Sequence, residues 1–317
     1  MTPAQLRAFC TVVRLGSVKA AAVELGVSEA AVSLHIGKLR KEFGDQLVSR
    51  TGSGLAFTPG GLRLAGRASE ILGLQDRTVW EIKAAGQGRR LLHIAASALF
   101  AEHAATGLMD LFASRADDLE LQLSVEHPGR FASLLADRSV DVAVGPKQRD
   151  LPASMLAKPF LKYEVVAVVA PDHPLAGRPV TPVALRGQEW FLGPSAAGSE
   201  GVICDTLRSI GVPEANQRIF QSEAAALEET KRTTHGVTLA VQFAVAGDLR
   251  EGRLVKLDGP GLRGQGVWTA QTLSDASPTA QELMRFISSP RAIQAMMRGA
   301  GAKIGRFRPS VHVTLWS

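Results

Sequence analysis

Residues 17–44, SVKAAAVELGVSEAAVSLHIGKLRKEFG, set two apolar periodic runs on either side of Gly26. Val18, Ala21, Ala22 and Leu25 recur at helical spacing before the glycine, and Val32, Ile36, Leu39 and Phe43 recur after it. Ser17 and Ser28 stand where N-caps belong, and Gly26 supplies the positive φ that a tight interhelical turn needs. The pattern therefore specifies a helical hairpin whose apolar stripes must be buried. Leu6, Phe9, Val12 and Val13 form a helix before it. Two short extended runs in DQLVSRTGSGLAFT follow, with a turn around Thr51 to Gly54, so residues 1–57 read as three helices and a β-hairpin.

The outer side of the second hairpin helix carries chemistry. On a wheel of residues 28–43, Ala30, Leu34, Gly37, Lys38 and Lys41 face away from the apolar stripe, with Ser33 on the flank. Small side chains followed by basic ones suit a DNA groove: alanine can touch a thymine methyl, serine can meet a base or phosphate, and lysines can meet phosphates. Charge agrees with this. Residues 1–67 hold nine Lys or Arg against four acids, whereas the remaining 250 residues hold 27 against 26. The net charge of +6 thus belongs almost wholly to the N-terminal fifth, which points that part alone at a polyanion.

A chain of 317 residues suits more than one compact unit, and its 45% hydrophobic and 21% charged composition is that of a folded protein. Residues 58–89 read as one long helix, opened by Thr58-Pro59 and closed by glycines. Ala65, Ala68, Leu72, Gln75, Val79 and Ile82 alternate spacings of three and four along it, a narrow seam suited to pairing with another helix. From residue 90 strands and helices alternate, as in LLHIAAS, LELQLSVEH, VDVAVG, YEVVAVVAP, EWFLGP and VTLAV, implying a parallel sheet with helices on its faces. Residues 301–317 form a tail with an edge-strand pattern and no assigned role. Cys10 and Cys204 lie in helical segments without metal-ligand spacing and are expected to be reduced thiols. The start lacks a signal-peptide pattern and no apolar run is long enough to span a bilayer, so a cytoplasmic location and no membrane partner are expected.

The first 66 residues resemble the DNA-binding end of LysR-type transcriptional regulators. The likeness rests on Leu6 and Phe9, Gly16-Ser17, Ala21-Ala22, Leu25, Val27-Ser28, Ala31-Val32-Ser33, Ile36, Leu39, Phe43-Gly44, Leu47, Arg50 and Thr58-Pro59-Gly60. VDVAVG, VVAPDHPLAG and HGVTLAVQFAVAGDLREGRLVKL extend it more loosely to about residue 300. It implies an α/β multidomain chain: a winged helix-turn-helix (1–57), a linker and dimerisation helix (58–89), and a two-lobed, periplasmic-binding-protein-like effector-binding domain (90–300). Lobe 1 would comprise about 90–161 and 266–300, and lobe 2 about 162–265.

The partners implied are double-stranded DNA carrying a pseudo-palindromic operator, a second copy of the chain in a homodimer or homotetramer, and a small-molecule co-inducer. No other cofactor, metal or catalytic residue is expected. The DNA-contacting candidates are Ser17, Ser28, Glu29, Ala30, Ser33, Leu34, Lys38, Lys41 and Arg50, the last in a wing reaching the backbone or minor groove. Two departures stand out. Glu29 replaces the family's usual glutamine, and a carboxylate accepts from cytosine N4 while phosphates repel it. Arg40 adds a positive charge expected close to the DNA. Ala65, Ala68, Leu72, Val79 and Ile82 are the dimerisation candidates.

In α/β lobes, ligands sit at the carboxyl ends of strands. That rule selects Ser97, Ala98, His127, Lys147, Ser195, Ser199 and Gln242 for the effector, and His127, Arg130 and Lys147 around the mouth favour an anionic one. Two rivals remain at this level. One is a two-lobed α/β enzyme, although GPGLRG at 259–264 precedes a strand rather than a helix and no hydrolase, metalloprotease or phosphate-loop motif occurs. The other is a DNA-binding protein that responds to no ligand.

Overall fold

A computed structural model describes residues 1–51, 54–86, 88–148, 150–197, 201–298 and the backbone of 311–314. The chain divides into two compact units, 1–87 with 136–139 and 88–135 with 140–317.

The first unit opens with α1 (Pro3–Leu15), fixed by a capping box: Gln5 N–H donates to Thr2 Oγ1 and Thr2 N–H donates to Gln5 Oε1. Helices α2 (Val18–Leu25) and α3 (Glu29–Phe43) follow, each starting at a serine whose hydroxyl accepts from the third residue on, at 3.2 Å. Between them Gly26 takes φ 64°, the left-handed turn read from the sequence. Val12, Phe9, Ala21, Val32 and Leu39 are fully buried and join the three helices. Strands β1 (Val48–Thr51) and β2 (Gly54–Phe57) pair antiparallel as the wing.

Helix α4 (Pro59–Gly86) is 28 residues long. Asp45 ties its start to the wing, accepting Leu47 N–H at 2.7 Å and Thr58 Oγ1–H at 2.8 Å, while Thr58 Oγ1 accepts Gly61 N–H at 2.9 Å. Those bonds to Leu47 and Thr58 hold the Asp45 carboxyl below its usual range.

The second unit is built on a mixed sheet. Strands β3 (Arg90–Ala96), β4 (Leu119–Val125) and β5 (Val142–Pro146) are mutually parallel, in the order β4-β3-β5. Between them run α5 (Ala98–Phe100), a π-helical turn (Ala101–Ala105), α6 (Thr106–Ala113) and α7 (Phe131–Ala136). Strand β6 (Met155–Val169) then leaves this lobe for the other. There α8 (Pro182–Arg186), β7 (Glu189–Leu192), α9 (Val202–Ile210), β8 (Gln217–Ile219), α10 (Glu223–Arg232), β9 (Gly236–Val241), α11 (Ala246–Arg250) and β10 (Val255–Lys256) make the second lobe. Strand β11 (Arg263–Leu273) returns, and α12 (Pro278–Phe286) and α13 (Pro290–Arg298) close the first lobe. Strand β12 (Val311–Thr314) lies parallel to β4 at the sheet edge.

The parallel sheet expected from the sequence is present within each lobe but not where the lobes join. β6 runs antiparallel to both β9 and β11, and β11 antiparallel to β5. The 15 residues of β6 extend about 50 Å, enough to serve both lobes, and a chain that crosses out and back does so in opposite directions. At the crossing, Tyr163 stacks on Trp268 with ring centroids 4.3 Å apart, and Phe100 meets Trp268 edge-on at 5.2 Å. The register shifts between Trp268 and Thr269, where the two strands bend.

Candidate DNA-reading face and ligand cleft

The exposed side of α3 carries Glu29, Ala30, Ser33, Leu34, Gly37, Lys38 and Lys41. Ser28 is exposed and Ser17 half-buried, each also serving as an N-cap. Arg50 is in β1 opposite Leu55, but its side chain lies outside the described residues.

Two expectations at this face need correction. Phe43 lies on the apolar wheel face but is 47% exposed, because the last turn of α3 outruns the eight-residue α2 before Gly44 turns the chain away. Arg40 does not reach outward: its Nε donates to Gln46 O at 2.7 Å and its Nη2 to Val48 O. The planar fork supplies donors to two carbonyls at the wing's base, Gln46 O and Val48 O, the first of which also accepts Val48 N–H at 2.5 Å.

The dimerisation seam is also redrawn. Ala68 is fully buried, Leu72 is buried and Ala65 half-buried, all packed on the core of the same chain's first unit. Cys10 on α1 donates its thiol hydrogen to Ala65 O, and burial raises that thiol's pKa against the lowering effect of Ser69. These three positions are therefore spent on intramolecular packing. Val79 and Ile82 are exposed, as are Ile71 and Leu74. At 100° per residue, Ile71, Leu74, Thr78 and Ile82 share a stripe roughly 100° round from the buried one.

Between the lobes of the second unit lies a cavity of about 640 Å³, within the range of small-molecule sites. Ser97, Ala98, His127 and Ser195 line it, from both lobes, together with Leu99, Val125, Pro146, Tyr163, Val202 and Ile203. Ser97 is only 6% exposed and its hydroxyl has no hydrogen-bond partner among the described residues. His127 Nδ1 accepts Gly129 N–H at 3.1 Å.

Lys147 and Gln242 do not line the cavity: Lys147 is exposed beside the lining residue Pro146, and Gln242 accepts from Lys256 Nζ at 3.3 Å. Ser199 lies outside the described residues. Arg130 turns to Glu126, 2.7 Å away. The strand-end rule locates a shelf of sequence, while side-chain direction decides which residues on it face the cleft.

What the sequence reading missed is the acid. Glu102 and Glu126 line the cavity, without any described Lys or Arg. Glu102 projects from the π-helical turn, an irregularity that often marks functional positions. Its oxygens accept the N–H groups of Glu223 and Ala224, at 2.9 and 2.8 Å, across the cleft at the start of α10. Glu223 is buried, and its Oε1 accepts from Ser195 N–H at 2.9 Å and from Ser195 Oγ–H. Burial pushes both carboxyls above the usual range against their hydrogen bonds, and the charge of Glu102 raises Glu223 further. Of the three groups that favoured an anionic effector, His127 lines the cavity and Arg130 and Lys147 do not. The one available signal was the polar Glu102-His103 pair interrupting the apolar run SALFAEHAATG.

Among the described residues no group of His, Cys, Asp and Glu could hold a metal, both cysteines are free, and no helix is long and apolar enough to cross a membrane.

Residues 3–62 match the family model of bacterial regulatory helix-turn-helix proteins of the LysR family, and residues 85–289 match the LysR substrate binding domain. An HTH-type transcriptional regulator of Mycobacterium tuberculosis strain H37Rv is 57% identical over the whole of both chains. The RuBisCO operon transcriptional regulator of Allochromatium vinosum is 27% identical, over 91% of this chain and 96% of that one. Among solved structures, ArgP from M. tuberculosis superposes with a TM-score of 0.57 at 19% identity, covering 94% of this chain and 97% of that one. Full-length LysG from Corynebacterium glutamicum with bound effector Arg gives 0.53 at 21%, covering 95% and 98%. These last two establish likeness of fold. The relatives are transcriptional regulators rather than enzymes, and with both halves matched this chain belongs to the LysR family of DNA-binding transcriptional regulators, a helix-turn-helix joined to an effector-binding domain.

Proposed function

We propose that this regulator reads a pseudo-palindromic operator as a dimer, in the cytoplasm, through the exposed face of α3, and that a small metabolite in the interlobe cavity modulates its DNA binding or promoter activation. The observation that carries the reading is the cavity: about 640 Å³, mostly apolar, with contributions from two lobes joined by the crossing strands β6 and β11. A ligand touching both lobes favours their closed arrangement and shifts the population only to the extent that it binds that arrangement better.

Ser33, Lys38 and Lys41 support α3 as the reading helix, since all three are exposed beside Ala30 on one side. Ile71, Leu74 and Ile82 support α4 as the dimerisation arm, an apolar stripe left open after the first unit's core is filled.

Footprinting on DNA upstream of the protein's own gene, with and without candidate metabolites, tests the reading. Protection of two half-sites about one or more helical turns apart is expected, changing in extent with the active metabolite. Specific binding should weaken steeply as salt rises. Undiminished binding by a Ser33→Glu, Lys38→Glu variant would exclude α3 as the reading helix.

A further inference from the structure

We propose that Glu102 makes the cleft selective for an effector carrying a positive charge, a primary ammonium or guanidinium group on an otherwise apolar body. This rests on the reading of the interlobe cavity as the effector site and names the chemistry that it would accept.

A carboxylate offers about four acceptor positions. Helix α10 uses two of those of Glu102, through the N–H groups of Glu223 and Ala224. The remaining lone pairs belong to a residue that lines the cavity. No described Lys, Arg or His pairs with Glu102 or Glu223, while Glu126, the other acid in the lining, already has Arg130 at 2.7 Å. The half-buried Glu102 and the buried Glu223 are thus balanced, among the described residues, only by N–H and O–H groups, which stabilises the charge less than a cation would. An ammonium beside Glu102 supplies that balance.

An anionic effector meets the opposite situation. The N–H groups that begin α10 are already taken by Glu102, so an anion must displace it and then face Glu223 without a cation in the lining. The rest of the cavity specifies the body of the ligand. Leu99, Val125, Tyr163, Val202 and Ile203 are apolar or aromatic walls, and the unpartnered Ser97 hydroxyl, 94% buried, offers one further hydrogen bond. Because Glu102 already spans from one lobe to the other, a cation bound to it also reinforces the contact that holds the lobes together.

Thermal melting of the full-length chain with matched probes at millimolar concentration tests this: benzylamine and agmatine against benzoate. The amines should raise the melting temperature of the effector-binding unit and benzoate should not. Glu102→Gln should weaken amine binding about tenfold or more, Glu102→Asp should retain the preference, and Glu126→Gln should change little. Stabilisation by benzoate alone, response to none of the probes, or an amine response unchanged in Glu102→Gln overturns the assignment. The wild-type comparison stands even if Glu102→Gln fails to fold. An Ala98→Trp variant, which fills the cavity, separates the two levels. Loss of a benzoate response in it preserves the cavity and rejects the cation, whereas an amine response that survives it rejects the cavity itself.

Discussion

Glu29 stands in the first turn of α3 with its side chain exposed, at the end of the helix that a helix-turn-helix presents to base edges. Replacing it with Gln removes a charge that phosphates repel and exchanges an acceptor for an amide that can pair with adenine. Selection of operator variants should then show a changed base preference at one position per half-site, about 1–3 kcal/mol in discrimination, with tighter nonspecific binding. The sequence made that residue visible because it needs only the helical period. It could not reveal Arg40, whose fork is claimed by the carbonyls of Gln46 and Val48, residues that come near it only when the wing folds back. His103 in the π-helical turn gives a second prediction. Burial lowers its pKa from 6.5 to about 4, so between those values the unfolded chain takes up a proton that the folded one refuses. Stability is therefore fully present above about pH 6.5 and is lost as pH falls toward 4, by at most about 3 kcal/mol from this group. Melting curves of His103→Gln should be flatter over that window than those of the wild type.

Helix α4 shows how one element can carry two faces. Its buried stripe, Ala68 and Leu72 with Ala65 beside them, packs on α1, and its open stripe continues through Ile71, Leu74 and Ile82. Ala68→Glu places a charge in a fully buried position and should melt the N-terminal unit at a cost of several kcal/mol. Ile82→Glu, at a residue 67% exposed, should leave the fold intact and shift the chain toward monomer in sedimentation. An Ile82→Glu chain that stays fully dimeric would remove this stripe from the interface. At the start of the same helix, Thr58→Ala frees Gly61 N–H and breaks the link to Asp45. Loss of a cap of this kind costs about 1 kcal/mol, and Thr58→Ser should restore most of it in thermal melts. The periodic seam was legible in the sequence because apolar spacing marks a face. Which half of it faces the chain's own core was not, since α1 and α4 are brought together only by the fold.

Over the whole molecule, the crossing strands set how the lobes are joined. A Cβ at Gly266 would lie 2.2 Å from the Tyr163 ring, so Gly266→Ala must disturb the Tyr163–Trp268 stack at the crossing. Overpacking of this kind costs about 1–3 kcal/mol, and differential scanning calorimetry should place the loss in the effector-binding unit. The helix-turn-helix, the hairpin, the long helix and the alternation of strands and helices are legible in the sequence alone. These depend on caps, turn glycines and apolar periods within a few residues of one another. That β6 and β11 run antiparallel between the lobes, that Lys147 and Gln242 are not part of the cavity lining, and that Glu102 meets the start of α10 came only with the folded chain. Those facts join residues up to 122 positions apart, as from Glu102 to Ala224, and local periodicity carries no information about partners so distant in the chain. Charge at the cleft is such a fact, which is why counting basic residues near the strand ends pointed to an anion while the assembled cavity presents carboxylates.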